Sequence, residues 1–372
     1  LFPYTTLFRS GFAKSTSLPS TDLKPEISTE AEVGFDIRFF QNRLGLDVAL
    51  YNKLTENQII TASMAQESGF SSRVRNVGKI RNKGIEVALN AVPVQTRDFR
   101  WDLTYTFTKN VNKVEELYDD VQSTTIYGLT SGPQLDVVVG EPLGTWRDYA
   151  LETVTDEDSE FFGKVIVNST TGYPKVSSTE KEILGKADPD FMMGLNNSFT
   201  YKNISLGFAF DYRKGGLMYS ATKGIAMFTG NELSTTYNDR DAWVWPNSVY
   251  EDLDGNYVEN NLPVDAYYNM NGVHYDNYNY VKYRELLLDK TYLKLRELNL
   301  TYRMPAKWFE GLKWLSGVEA SLVGRNLLMW TPKQGLIDPD TTNYGNDLTS
   351  QYGEYYSAPS VRTFGGSVKV VF

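Results

Sequence analysis

The chain has 372 residues, a net charge of −9, 22% charged residues, one histidine and no cysteine. The acidic balance excludes the basic surface that nucleic-acid binding needs, and the lack of cysteine removes disulfide scaffolds, thiol catalysis and Cys-based zinc sites. No run of about 18 apolar residues occurs, so no transmembrane helix is encoded; a membrane β-barrel, which hides its apolar face at every second residue, is not excluded.

The first ten residues, LFPYTTLFRS, lack the charged start, apolar centre and small-residue cleavage site of a secretory signal. They resemble a translated sequencing adaptor, so residues 1–20 are set aside as a non-native or disordered leader and 21–372 are read as one unit. On that reading the chain is the C-terminal part of a longer protein. The stretch AEVGFDIRFFQNRLGLDVALY (31–51) then alternates apolar and polar side chains, the period of an extended backbone. Val33, Phe35, Ile37 and Phe39 share one side, against Glu32, Asp36 and Arg38. After a Gln41-Asn42-Arg43 turn, Leu44, Leu46, Val48 and Leu50 face away from Gly45, Asp47, Ala49 and Tyr51. This predicts an antiparallel hairpin, and by itself it leaves open whether a second sheet, a helix layer or lipid covers the apolar face.

The same period recurs in GIEVALNA (84–91) and FRWDLTYTFT (99–108). FMMGLNNSFTY and ISLGFAFDYR form a second hairpin around Lys202-Asn203, with Asn197 interrupting the apolar face for no reason visible in the sequence. YLKLRELNLTYR (292–303) shifts phase between Leu295 and Leu298, which predicts a bulge. GVEASLVGRNLLMW (317–330) and the terminal GGSVKVVF complete the series.

Nine strands near 30–40, 44–54, 80–91, 98–110, 190–201, 203–213, 291–303, 316–328 and 362–372 leave gaps that alternate short and long. The long ones fall near 55–79, 111–189, 214–290 and 329–361. A meander of this kind gathers every large loop at one end, the layout of outer-membrane barrels, and strands of about 11 residues suit a tilted bilayer crossing. Aromatics collect at the short-turn end (Phe39, Phe40, Phe99, Trp101, Tyr201, Tyr302, Trp308 and Trp314), as an interfacial girdle would. The last strand, with Val368, Val370 and Phe372, suits a barrel-closing strand whose end is read by the assembly machinery.

Taken in order, EVGFDIRFFQNRLGLDVALYNK, NVGKIRNKGIEVALN, DPDFMMGLNNSFTYKNISLGFAFDYRKGG, YLKLRELNLTYRMP, GRNLLMWTPKQGLIDPD and APSVRTFGGSVKVVF resemble the C-terminal half of the barrel of SusC/RagA-type TonB-dependent outer-membrane receptors. The resemblance implies an all-β fold, an antiparallel up-and-down transmembrane β-barrel of which nine or ten strands are present, under half of a plugged wall of about 22. It implies the cell outer membrane as location and import of a large nutrient, an oligosaccharide or a peptide. It also implies a SusD-like surface lipoprotein as partner and energy from TonB through an N-terminal part and plug that these residues lack. No cofactor is implied.

The loop at 214–290 is the expected place for ligand contacts, because DAWVWPNSVYEDLDGNYVENNLPVDAYYNMNGVHYDNYNYVKY is dense in Trp, Tyr, Asn and Asp. Aromatic faces stack on sugar C–H surfaces and amides bond hydroxyls, so Trp243, Trp245, Tyr267, Tyr268, Tyr278 and Tyr280 are candidate contacts; packing of the loop on itself is the competing account. Glu32, Asp36, Arg38, Glu86, Arg100, Asp102 and Asp211 are expected to face a polar lumen. Catalysis has little support: His274 is the one histidine, no G-x-S-x-G elbow accompanies it, and no pattern sets two carboxylates at glycosidase spacing. DLDG (252–255) lacks the other ligands of a calcium loop and reads as a turn, leaving no metal site. The alternative to a transporter is a soluble extracellular β-sandwich, a carbohydrate-binding module or adhesin, but sandwiches join strands with similar loops at both ends.

Overall fold

The computed structural model describes residues 17–372 apart from 21, 64–65, 71, 77, 119–120, 129–131, 265–283, 313, 333–336 and 344–347. Nine antiparallel strands form one sheet, each paired with its neighbour in sequence. They are β1 (Ile27–Phe39), β2 (Leu44–Glu56), β3 (Lys79–Gln95), β4 (Phe99–Glu116), β5 (Phe191–Tyr201), β6 (Ile204–Lys214), β7 (Tyr292–Arg303), β8 (Gly317–Trp330) and β9 (Thr363–Val371). The sheet is open, with β1 and β9 at its two edges.

Period-2 sequence becomes a two-sided wall because the register aligns like with like. One row runs Ile37, Leu46, Leu89, Tyr105, Leu195, Phe210, Leu295 and Leu328 from β1 to β8. The adjacent row, on the other face, runs Asp36, Asp47, Ala88, Thr106, Gly194, Asp211, Lys294 and Met329. A register slip of one residue would exchange these faces, so the pattern specifies the pairing.

Asn197 has a partner after all. Its Oδ1 accepts the indole N–H of Trp101 at 2.9 Å across the β4–β5 pair, which satisfies a donor that otherwise meets hydrocarbon. The phase shift in β7 is a bulge: pairing with both β6 and β8 skips Arg296.

Burial is inverted relative to a soluble domain. Val33, Phe35, Leu50, Leu206, Leu300, Leu322 and Val368 are exposed, and among the described residues no second sheet lies over them. The packed core sits in the long connections instead, around Leu135, Trp146, Tyr219, Leu286 and Tyr352. A four-stranded sheet made of 176–186, 145–151, 134–138 and 123–128 supplies one side of this core. Parallel pairings of 165–166 with 248–249 and of 219–220 with 353–354 join separate connections into one layer. The second pairing demands a glycine, since a Cβ on Gly353 (φ +151°) would lie 1.9 Å from the Tyr219 carbonyl oxygen.

Tyr352 is the centre of the layer. Its ring meets those of Tyr127, Trp146 and Tyr219 at 4.6, 5.0 and 5.3 Å, and its hydroxyl donates to the Pro133 carbonyl at 3.2 Å. Helix α1 (Ala221–Phe228) is capped by Ser220, whose hydroxyl accepts the Lys223 N–H. Buried Glu354 accepts from the Thr222 N–H (3.1 Å) and hydroxyl (2.6 Å) and from the Ser220 hydroxyl. A carboxylate at a helix N-terminus is favoured by the orphan N–H groups and the helix dipole, and here it clamps the last long connection onto the third.

Candidate functional site

Where the wall meets the loop layer, the inward face carries a cluster of charges. The bulge leaves Arg296 outside the ladder, and its guanidinium reaches Asp211 Oδ2 at 2.5 Å and Asp340 Oδ2 at 2.6 Å. Tyr292 donates its hydroxyl to Asp211 at 3.0 Å. Lys294, 3% exposed, is held by Asp340 at 2.6 Å and by Asp338 at shorter range. Burial alone would push the Asp338 and Asp340 carboxyls up, but the Lys294 ammonium, and for Asp340 also Arg296, holds both below the ordinary value. Both aspartates come from the LIDPD segment.

A second D-P-D segment adjoins this cluster, with Asp188 and Asp340 both acting on Arg213 and Lys290. Asp188 accepts from the Asn112 amide, and Asp190 pairs with Lys186 at 2.8 Å. Asp188 is pushed up by burial. Lys290 is pushed down to about 8, mainly by burial and then by Arg213. Higher in the loop layer, Asp148 is fully buried beside Arg284 and Glu182 and is pushed up to about 6 by desolvation.

Below the rim the inward face is hydroxyl- and amide-rich. Tyr51 lies over Gly84, where a Cβ would fall 2.3 Å from the ring, and donates to Asn110 Oδ1 at 3.1 Å. Asn110 passes a hydrogen bond to Asn82 at 3.0 Å. With Glu26, Ser28, Lys53 and Thr55 these groups border a concavity of about 440 Å³. Neutral groups that both donate and accept suit a hydroxyl- or amide-bearing ligand.

The wall is bounded by aromatics at two heights. At the short turns Phe99 and Trp101 stack on Phe199, and Trp314 stacks on Phe372. At the loop end Phe191 meets Phe107 and Tyr212 at 5.6 and 5.9 Å. From Tyr201 to Phe191 are ten residue steps on β5. At about 3.3 Å per residue and a tilt of about 40°, they span roughly 25 Å along the membrane normal, the height of a barrel's apolar band.

The matching family model is "TonB dependent receptor-like, beta-barrel", over residues 2–173. TonB-dependent receptor P3 of Formosa agariphila is 27% identical over 96% of this chain and 35% of its own length. SusC of Bacteroides thetaiotaomicron, also a TonB-dependent receptor, is 28% identical over 52% of this chain and 20% of its own. A solved structure of the RagAB peptide transporter superposes with a TM-score of 0.65 at 20% identity, over 93% of this chain and 35% of that one.

The chain resembles the TonB-dependent receptor β-barrels. The likeness extends to SusC and, in fold, to RagAB, outer-membrane proteins, and the chain spans about a third of the length of the curated relatives it matches.

In outer-membrane barrels the long connections mark the extracellular end. Trp243 and Trp245 come together there, with ring centroids 5.2 Å apart and Tyr237 edge-on to Trp243 at 5.3 Å. Tyr267, Tyr268, Tyr278, Tyr280 and His274 lie outside the described residues. Val368 and Val370 sit on β9, exposed on the lipid side, and Phe372 follows it. Of the inward charges, Asp36 and Asp47 flank Arg38, Arg100 pairs with Asp102, and Asp211 joins the rim cluster. DLDG is a turn: Asp252 Oδ1 accepts the N–H groups of Asp254 and Asn256, which hold its carboxyl below the usual range. The rim residues Lys294, Arg296, Asp338 and Asp340 carry one sequence signal, the phase shift that frees Arg296.

Proposed function

We propose that this chain supplies part of the wall and the extracellular loop layer of a transporter that imports large nutrients, oligosaccharides or peptides, with energy drawn through TonB. A SusD-like surface lipoprotein completes the binding chamber on the loop side. The observation that carries the reading is the pairing of an uncovered apolar band with an inward face of charges, amides and hydroxyls, bounded above by a consolidated loop layer. The inward face gives a hydrated ligand a polar path, and the outward face makes that path a membrane crossing.

Trp243 and Trp245, and separately the Tyr51–Asn110–Asn82 ladder, are proposed ligand contacts, and Val368, Val370 and Phe372 are proposed to guide assembly. The test is growth of a strain lacking the whole receptor on defined oligosaccharides and on oligopeptides as sole nutrient. Loss of growth on one class, restored by the receptor gene and not by a TonB-uncoupled version, supports the reading. Unaltered growth and unaltered uptake on both classes contradict it.

A further inference from the structure

On three strands the outward-facing series changes from apolar to lysine within two residues of the same level. β3 passes from Ile85 to Lys83, β4 from Phe107 to Lys109, and β6 from Tyr212 to Lys214. The register shows that this is one belt: Lys109 pairs with Ile85, Lys83 with Val111, Arg81 with Lys113, and Lys214 with Phe191 of the upper aromatic ring. Phe99 to Lys109 and Ile204 to Lys214 are each ten residues, the same step that separates the two aromatic rings on β5. The lysines therefore stand where the apolar band ends on the extracellular side.

Neighbouring cations on this outer face have acidic partners: Lys79 has Glu56 and Glu116, and Arg81 has Glu115. Lys83, Lys109, Lys113 and Lys214 are exposed and have no carboxylate within ion-pair distance among the described residues. The whole chain is acidic at −9, so this concentration of positive charge on the membrane-facing surface, with Glu115 alone acting on Lys83 and Lys113 from beside Arg81, is local. Val111, 54% exposed, sits among these lysines and extends the apolar surface into the charged zone.

We propose that Lys83, Lys109, Lys113 and Lys214 bind the anionic headgroups of outer-leaflet lipid, a phosphorylated glycolipid seated with its acyl chains along the apolar band of β3 to β6. The lysines lie at headgroup depth, their charge complements phosphate, and the surface below them is shaped for hydrocarbon. The proposal needs the membrane placement of the wall and not its import activity.

The experiment uses the full-length receptor, extracted from native membranes in mild detergent, with phosphorylated glycolipid per barrel counted by native mass spectrometry. Heat-modifiable gel mobility reports folding. The wild type and the fourfold Lys→Arg variant are expected to retain the lipid, and about 1 M salt, where screening acts over about 3 Å, is expected to strip it. The fourfold Lys→Gln variant is expected to retain at least about tenfold less. If that variant does not fold, Lys83→Gln and Lys113→Gln singly are read the same way, each with lower retention expected. Equal retention in a folded Gln variant overturns the proposal. So does retention of neutral lipid alone, or full displacement by inorganic phosphate at matched ionic strength, which would reassign the site to free phosphate.

Discussion

Replacing Lys294 with methionine tests the rim cluster. Its side chain is 4% exposed and its ammonium faces Asp338 (side chain 12% exposed) and Asp340 (34%). Methionine fills most of its volume but leaves Asp338 without a cation and Asp340 with Arg296 alone. Removing one partner of a buried ion pair costs about 3–5 kcal/mol. Asp340 is partly hydrated, so the lower end applies, about 3 kcal/mol, or about a hundredfold in the opening equilibrium of the docked segment at 337–343. Hydrogen exchange of the backbone amides of Asp340 and Thr341 reads this directly, because their N–H groups are bonded to Asp338. The double variant Lys294→Met/Asp338→Asn removes the stranded charge and is expected to recover most of the protection. Unchanged exchange in the single variant, or no recovery in the double, would refute the argument.

Gly84→Ala is expected to lower the yield of folded barrel by driving a Cβ into the Tyr51 ring, and Tyr51→Ala on top of it to restore folding, both read by heat-modifiable mobility. Asn197→Leu strands the Trp101 indole N–H and is expected to lower stability by about 1–3 kcal/mol in denaturant titration, with Asn197→Gln costing less. Burial pushes the Asp148 carboxyl up to about 6, above the ordinary carboxylate value, so the folded loop layer binds the extra proton between those values. Its contribution is fully present below about pH 4 and declines as pH rises through about 6, and exchange protection of residues 145–151 is expected to follow that course in the native chain and not in Asp148→Asn.

The wall was legible because each strand must satisfy a two-sided environment, and a period of two in Ile204 to Tyr212 or Leu44 to Leu50 records it directly. The bulge was legible for the same reason: the apolar phase slips by one residue between Leu295 and Leu298, and Arg296 is the residue left over. Asn197 looked like an error until its neighbour on β4 was placed, since a cross-strand bond to Trp101 joins positions 96 residues apart. The loop layer was not legible. Its core is assembled from single residues of separate connections, as when Tyr352 bonds Pro133 across 219 positions, and no local period marks such a contact. The D-P-D segments were visible as motifs, yet nothing local shows that Asp338 and Asp340 turn back to grip Lys294. The upper aromatic ring was missed because Phe107, Phe191 and Tyr212 read as ordinary members of the apolar series; it becomes a cluster once the register sets Phe107 and Tyr212 on either side of Met193, two residues from Phe191.

The central claim is that the apolar side of the wall touches lipid while the other side faces a polar interior. The sequence has no cysteine, so single cysteines at Leu46, Asp47, Val48, Ala49 and Leu50 can each carry a spin label in the membrane-embedded receptor. Collision rates with oxygen, which partitions into hydrocarbon, and with a water-soluble nickel chelate then report the surroundings of each position. The account predicts strict alternation, with Leu46→Cys, Val48→Cys and Leu50→Cys open to oxygen and shielded from nickel, and Asp47→Cys and Ala49→Cys the reverse. Labels at 46, 48 and 50 that neither reagent reaches would mean protein covers that face, and the account would be wrong.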